Sequence, residues 1–196
     1  MDKKERFLIT GAGGFIGGWI AETLHLTGKA DVRAGIHRWS GAPRLARFPM
    51  EIVPCNILNP EEIGKAMKNV THVIHCAKGA SAESIIKGTK NMLEAALHSG
   101  VQRFVHLSTA AVYGDKVGSV DENSPCSKTG WDYADSKQEA EKICLAYKAK
   151  GLPVTILRPS IVYGPFCKVW ILNIAFKLLS GTWGLFKGIG EGTCNL

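Results

Sequence analysis

The chain has 196 residues, 45% hydrophobic and 21% charged, a balance that excludes an intrinsically disordered protein and allows one sizeable core. The formal net charge of +7 comes from scattered lysines and arginines, which argues against a nucleic-acid-binding tail and for a solvated basic surface. Six cysteines, Cys55, Cys76, Cys126, Cys144, Cys167 and Cys194, form no Cys-x-x-Cys pair and no metal spacing with histidine, so buried, metal-free thiols are expected.

The first strand is predicted over 7–9, so close to Met1 that no signal peptide fits before it, which points to the cytoplasm. Thr10-Gly11-Ala12-Gly13-Gly14-Phe15-Ile16-Gly17 follows and runs into residues of helical spacing. This Gly-x-x-Gly-x-x-Gly turn suits a dinucleotide phosphate. Gly11 takes the tight turn, Gly14 leaves the pyrophosphate free to approach, Gly17 lets helix and strand pack closely, and the helix amides face the anion. Phe15 and Ile16 belong to the same predicted cofactor site.

A second strand is predicted over 32–36. An acid at its end would hydrogen-bond the adenosine ribose, but this chain has His37 and Arg38 there, suited to a 2′-phosphate, so the reading leans to NADP over NAD. The third strand covers 51–55 and leads into Asn56 and Ile57, with Asn56 directed at the adenine; Pro60-Glu61-Glu62 then opens a helix. A buried fourth strand over 71–77 ends on small residues that let a cofactor approach Ala77 and Lys78. A helix to Gly100, a strand over 103–107, a helix from about Tyr133 to Lys150 and a strand over 154–157 complete the alternation. That alternation predicts an α/β fold, a doubly wound parallel sheet of the Rossmann type.

Tyr133 and Lys137 are four apart on the predicted helix, so they share a face. An ammonium beside a phenol is expected to lower the phenol pKa from its usual value of about 10 and ready it for proton transfer. Thr109, at the mouth of the neighbouring strand, is placed to hold the same substrate oxygen, with Ser108 as the weaker candidate.

With the glycine turn, 107–114, Tyr133-Ala134-Asp135-Ser136-Lys137 and Leu157-Arg158-Pro159-Ser160-Ile161-Val162-Tyr163-Gly164-Pro165, the sequence resembles the extended short-chain dehydrogenase/reductase superfamily, the NAD-dependent epimerase/dehydratase family. The resemblance implies Tyr133 as proton donor or acceptor, Lys137 on the nicotinamide ribose, and Thr109 orienting the substrate. It also implies Pro159, Ile161 and Val162 along the nicotinamide, and Ala77 with Lys78 beside the cofactor's middle. The implied reaction is hydride transfer between NAD(P) and a hydroxyl- or keto-bearing carbon of a small molecule, a nucleotide sugar or a ketone. A dinucleotide-binding regulator or sensor without turnover is the alternative.

Three departures from the family pattern stand out. The loop from Lys78 to Ser84 is short, Ile85-Ile86-Lys87-Gly88-Thr89 stands where Asn-Val-x-Gly-Thr is usual before a fourth helix, and the chain ends soon after Gly190. Residues 1–166 are therefore expected to form the NAD(P)-binding domain and 167–196 the start of a shortened substrate-binding region. The apolar stretch 169–179, interrupted by Asn173 and Lys177, reads as a helix over the substrate cleft and not a membrane span; its exposure implies association, with a homodimer as one form.

Overall fold

Strands of a parallel sheet are buried on both faces, and the apolar runs of this chain supply that burial. The computed structural model describes residues 5–182. Its strands β1 (Arg6–Thr10), β2 (Asp31–Ile36), β3 (Glu51–Pro54), β4 (His72–His75), β5 (Arg103–Leu107) and β6 (Val154–Leu157) form one six-stranded sheet in the order β3-β2-β1-β4-β5-β6. Every pairing is parallel, with Ile9 of β1 in register with Ala34 of β2 and Ile74 of β4. The helices are α1 (Phe15–Leu26), α2 (Pro60–Met67), α3 (Ala82–His98) and α4 (Asp132–Ala149). This is the doubly wound sheet expected from the sequence. Its strand order reverses between β1 and β4, where sheets of this kind leave a ligand crevice.

One core packs Leu8, Val73 and Phe104 of the sheet with Met92 and Leu93 of α3 and Cys144 and Tyr147 of α4. The other packs Ile9, Ala34 and Ile36 with Ala21 of α1 and Leu45. The helix ends follow from local chemistry. Asn59 caps α2 by accepting from the amides of Glu61 (3.0 Å) and Glu62 (3.4 Å), with Pro60 at the first helical position. The far end of α2 is held by buried Arg33 of β2, whose Nη1 donates to the carbonyls of Ala66 and Lys68, both at 2.7 Å. Ser81 and Ser84 form a reciprocal capping box at the start of α3.

The stretch Ile85–Thr89 lies inside α3, the helix expected to run to Gly100. Gly88 sits there against Ile57, whose Cδ1 would be 2.3 Å from an added Cβ. At Gly17 the obstacle is backbone: a Cβ would stand 2.4 Å from the Gly11 carbonyl oxygen. Because that oxygen cannot rotate away, Gly17→Ala is expected to destabilise the fold by about 1–3 kcal/mol, read from urea unfolding midpoints. An unchanged midpoint would show that α1 shifts freely on β1.

The chain divides into two compact units, Met1–Arg158 and Pro159–Leu196. The first holds the whole sheet. The described part of the second holds a π-helical turn over Lys168–Leu172 continuing into α5 (Asn173–Leu179), with Val169, Trp170, Phe176 and Leu179 exposed. No helix among the described residues is long and apolar enough to cross a membrane. Residues 183–196, including Gly190, Cys194 and the end of the chain, lie outside the described residues.

Candidate active site

The strand-to-helix turn after β1 is built from positions where a side chain has no room or no favourable backbone. Gly11 holds a φ of +68°, and a Cβ on it would stand 2.8 Å from both the amide nitrogen and Cα of Ala77. So the end of β4 presses on the glycine turn. Gly14 is exposed and flanks α1 in extended conformation, which leaves the helix N-terminus unobstructed. Phe15 and Ile16 begin α1 half-buried. This turn is a cradle that a Cβ would fill, and it fits a dinucleotide phosphate.

Beneath it, Thr10 ties β1 to β4. Its hydroxyl accepts from the Ala77 amide at 3.2 Å, so its one hydrogen is left for His75 Nδ1 at 2.8 Å. His75 Nε2 then carries the ring proton and donates to Thr89 of α3 at 3.3 Å. The His106 ring lies 5.6 Å away on β5, fully buried, and neither ring nitrogen has a hydrogen-bond partner among the described residues. Burial pushes His106 down to about 3 and His75 well below the ordinary histidine value, so both are neutral at physiological pH.

The reactive groups gather where β5 meets α4. Thr109 follows β5 and opens a 3-10 turn over Ala110–Tyr113, accepting from the Ala111 amide at 3.2 Å. Its hydroxyl lies close enough to the half-buried Tyr133 in the first turn of α4 to favour the ionised phenol. Lys137, one helical turn on, is buried and donates from Nζ to the Leu107 carbonyl at 2.7 Å. Burial pulls its pKa down to about 8, which leaves it charged at neutral pH. Lys78 puts its Nζ 4.7 Å over the Tyr133 ring.

The structure thus brings Thr109, Tyr133, Lys137 and Lys78 together, and Gly11 with Ala77. One expectation is corrected: burial raises the Tyr133 pKa above its ordinary value, and the Thr109 hydroxyl only opposes the rise. The Lys137 ammonium is turned to the Leu107 carbonyl. Ser108 is buried with no hydrogen-bond partner for its hydroxyl among the described residues, while Thr109 meets the tyrosine. His37 and Arg38 are exposed just past β2. Asn56 Oδ1 accepts from the Leu58 amide at 3.0 Å, and Ile57 is buried. Pro159, Ile161 and Val162 lie in the irregular start of the second unit. Cys55, Cys144 and Cys167 are buried free thiols as expected, but Cys126 is exposed, since it lies in the irregular segment between the 3-10 turn and α4.

Sequence reasoning missed an ion pair on the same face of α4. Arg158 of the Leu157–Pro165 stretch, half-buried, and buried Glu141, one turn past Lys137, form an ion pair at 2.7 Å. The available signal was the i, i+4 continuation of the Tyr133–Lys137 face to an acid, with no visible partner until the chain folds.

Comparison with known proteins bears on the whole arrangement. The profile of the NAD dependent epimerase/dehydratase family matches residues 7–175. The chain is 33% identical over 184 residues to a UDP-N-acetyl-alpha-D-glucosaminuronate decarboxylase of Bacillus cytotoxicus, covering 84% of this chain and 57% of that protein. It is also 33% identical over 181 residues to a UDP-glucose 4-epimerase of Vibrio cholerae, covering 82% and 53%. Among solved structures, a dTDP-glucose 4,6-dehydratase of Streptomyces venezuelae with NAD bound superposes at a TM-score of 0.81 with 27% identity, over 90% of this chain and 62% of that one. The chain therefore spans about half the length of the curated relatives it matches. The matched residues hold the glycine turn, the Thr109 turn and the Tyr133–Lys137 helix together, and the chain belongs to the NAD dependent epimerase/dehydratase family.

Proposed function

We propose that this chain takes part in NAD(P)-dependent hydride transfer to or from a hydroxyl- or keto-bearing carbon of a small molecule, with a nucleotide sugar as the favoured class. The observation that carries the reading is the Thr109–Tyr133 hydroxyl pair above a buried Lys137 at the β5 end of the sheet. The relatives support the substrate class, since those named above act on nucleotide sugars by their names. Residues 1–166 serve as the dinucleotide-binding domain and 167–196 begin the substrate-binding region.

In this reading Gly11, Gly14, Phe15, Ile16 and Gly17 receive the pyrophosphate, and Asn56 and Ile57 lie by the adenine. Ala77, Lys78, Pro159, Ile161 and Val162 border the nicotinamide half. The bound nicotinamide would supply or accept the hydride. Tyr133, a phenol protonated at neutral pH and raised further by burial, hands its proton to a keto oxygen held between its own hydroxyl and that of Thr109. An ammonium has three N–H donors, and Leu107 uses one of Lys137's, which leaves others for the ribose and the site. A cytoplasmic setting and a homodimer complete the reading, the latter supported by the exposed apolar residues of 169–179.

The finer assignment is a preference for NADP. It rests on exposed His37 and Arg38 at the end of β2 and on the absence of an acid there. A charge-assisted pair to the 2′-phosphate contributes roughly 1.5–3 kcal/mol, so NADPH is expected to bind at least tenfold more tightly than NADH, with Arg38→Ala abolishing the difference in a fluorescence titration. Equal affinities in the parent chain would overturn it. The reaction itself is tested by nicotinamide absorbance with a panel of nucleotide sugars and ketones. Tight dinucleotide binding with no turnover on any of them would favour the regulator or sensor instead.

A further inference from the structure

A tyrosine and a threonine that share one substrate oxygen must be held in register to well under an ångström, yet they come from different segments. Tyr133 and Lys137 ride on α4, and Thr109 on the 3-10 turn after β5. Two links join these segments. Gln138 Nε2 donates to the Val112 carbonyl at 3.0 Å and to the Ser127 carbonyl at 2.7 Å. The stronger link passes through Arg158, which follows β6.

Glu141 lies four residues past Lys137 and eight past Tyr133, so it continues their face of α4. Its buried carboxylate accepts from Arg158 Nε at 3.0 and 3.2 Å and from Nη2 at 2.7 Å. The remaining arm of the guanidinium, Nη1, donates to the Tyr113 hydroxyl at 2.7 Å and to the Glu122 carbonyl at 3.3 Å. Tyr113 closes the 3-10 turn that Thr109 opens, donates its own O–H to the Asp121 carbonyl at 2.8 Å, and lies with its ring 4.9 Å from the guanidinium carbon. One planar side chain therefore grips both segments.

We propose that Arg158 is a positioning residue that locks Tyr133 and Lys137 to Thr109 by holding Glu141 of α4 and Tyr113 of the Thr109 turn in a single fork. The proposal rests on the catalytic reading above. Magnitudes favour a role in geometry over one in net stability. A buried ion pair gains little over well-packed apolar residues, because desolvation offsets its Coulomb attraction. A guanidinium fork, however, admits one arrangement of its partners, and a misplacement of about 1 Å near reacting atoms costs on the order of a hundredfold in rate. A lysine would keep the charge and reach Glu141 or Tyr113 with a single point of contact, so charge and fork can be separated.

The test compares Arg158→Lys and Tyr113→Phe with the parent 196-residue chain in two measurements. The first is turnover on a substrate the parent converts. Arg158→Lys is expected to lower kcat by about 10- to 100-fold, with cofactor affinity within about threefold; Tyr113→Phe is expected to fall less, by about threefold to tenfold. The second is the titration of Tyr133 in the cofactor-free chain, followed by NMR of ring-labelled tyrosine. Loss of register takes away the Thr109 hydroxyl that lowers this phenol, so Tyr133 should titrate at higher pH in Arg158→Lys, matching Thr109→Val. An unchanged Tyr133 titration in Arg158→Lys overturns the proposal, as does unchanged kcat while Tyr133→Phe is inactive. If Arg158→Lys does not fold, Tyr113→Phe decides by the same titration. If Tyr133→Phe keeps full turnover, the catalytic reading fails, while the titration still decides whether the fork sets the Thr109–Tyr133 register.

Discussion

Tyr133→Phe is expected to lower single-turnover hydride transfer by about a hundredfold to ten-thousandfold while cofactor affinity stays within about threefold. The substitution removes the transferable proton and the hydroxyl that meets Thr109, but keeps the ring beneath Lys78 and leaves the glycine turn untouched. The expected asymmetry between chemistry and binding follows from that separation in space. Direction matters too. With the phenol raised by burial, the cofactor-free site is poised to donate a proton, and the ketone-reducing direction should be the less pH-sensitive of the two around neutrality. Near-full turnover in Tyr133→Phe, on a substrate the parent chain demonstrably converts, would remove Tyr133 from the acid/base role.

The second large effect concerns stability in mild acid. His75 and His106 are buried side by side and kept neutral, His106 down to about 3, and the charge of Lys137 nearby pushes both in the same direction. Thr10 and Thr89 occupy the nitrogens of His75, and nothing among the described residues hydrogen-bonds His106. In the unfolded chain each imidazole takes up a proton below about pH 6.5. Between about 6.5 and 3 the unfolded state therefore binds more protons than the folded one, so their contribution is fully present above that window and falls as pH drops through it. At about 1.4 kcal/mol per unit, lowering the pH to about 5 should cost roughly 2 kcal/mol through His106 alone, with His75 adding in the same direction, against an ordinary domain's 5–15 kcal/mol. Urea midpoints at about pH 7 and 5 measure this, and His106→Leu should recover the roughly 2 kcal/mol that His106 costs. A parent chain with equal midpoints at both pH values would show that the rings protonate in the folded state.

Much of the site could be read before folding was considered. The glycine turn, the order of its companions and the Tyr133–Lys137 spacing depend on short-range geometry, in which residues next to or four apart from one another necessarily meet. Gly11 shows this directly, since its φ of +68° is a demand visible as glycine in the sequence. Thr109 was legible by its place at a strand end. What Lys137 does was not. An i, i+4 spacing puts an ammonium on the same face as a phenol, but its hydrogen bond goes to the Leu107 carbonyl, a group supplied by a different strand.

The sequence by itself therefore determined the strand–helix alternation, the parallel sheet that follows from it, the dinucleotide turn and the membership of Thr109, Tyr133 and Lys137 in one site. These depend on periodicity, on turn chemistry and on the steric freedom of glycine, all of them local. Only the tertiary structure decided the sign of the Tyr133 shift, the neutral pair His75 and His106, and the fork of Arg158 on Glu141 and Tyr113. Each depends on burial and on contacts between residues distant in the chain: desolvation has no sequence signature, and a charged partner 17 residues away, as Arg158 is from Glu141, is chosen by how a helix lies against a sheet.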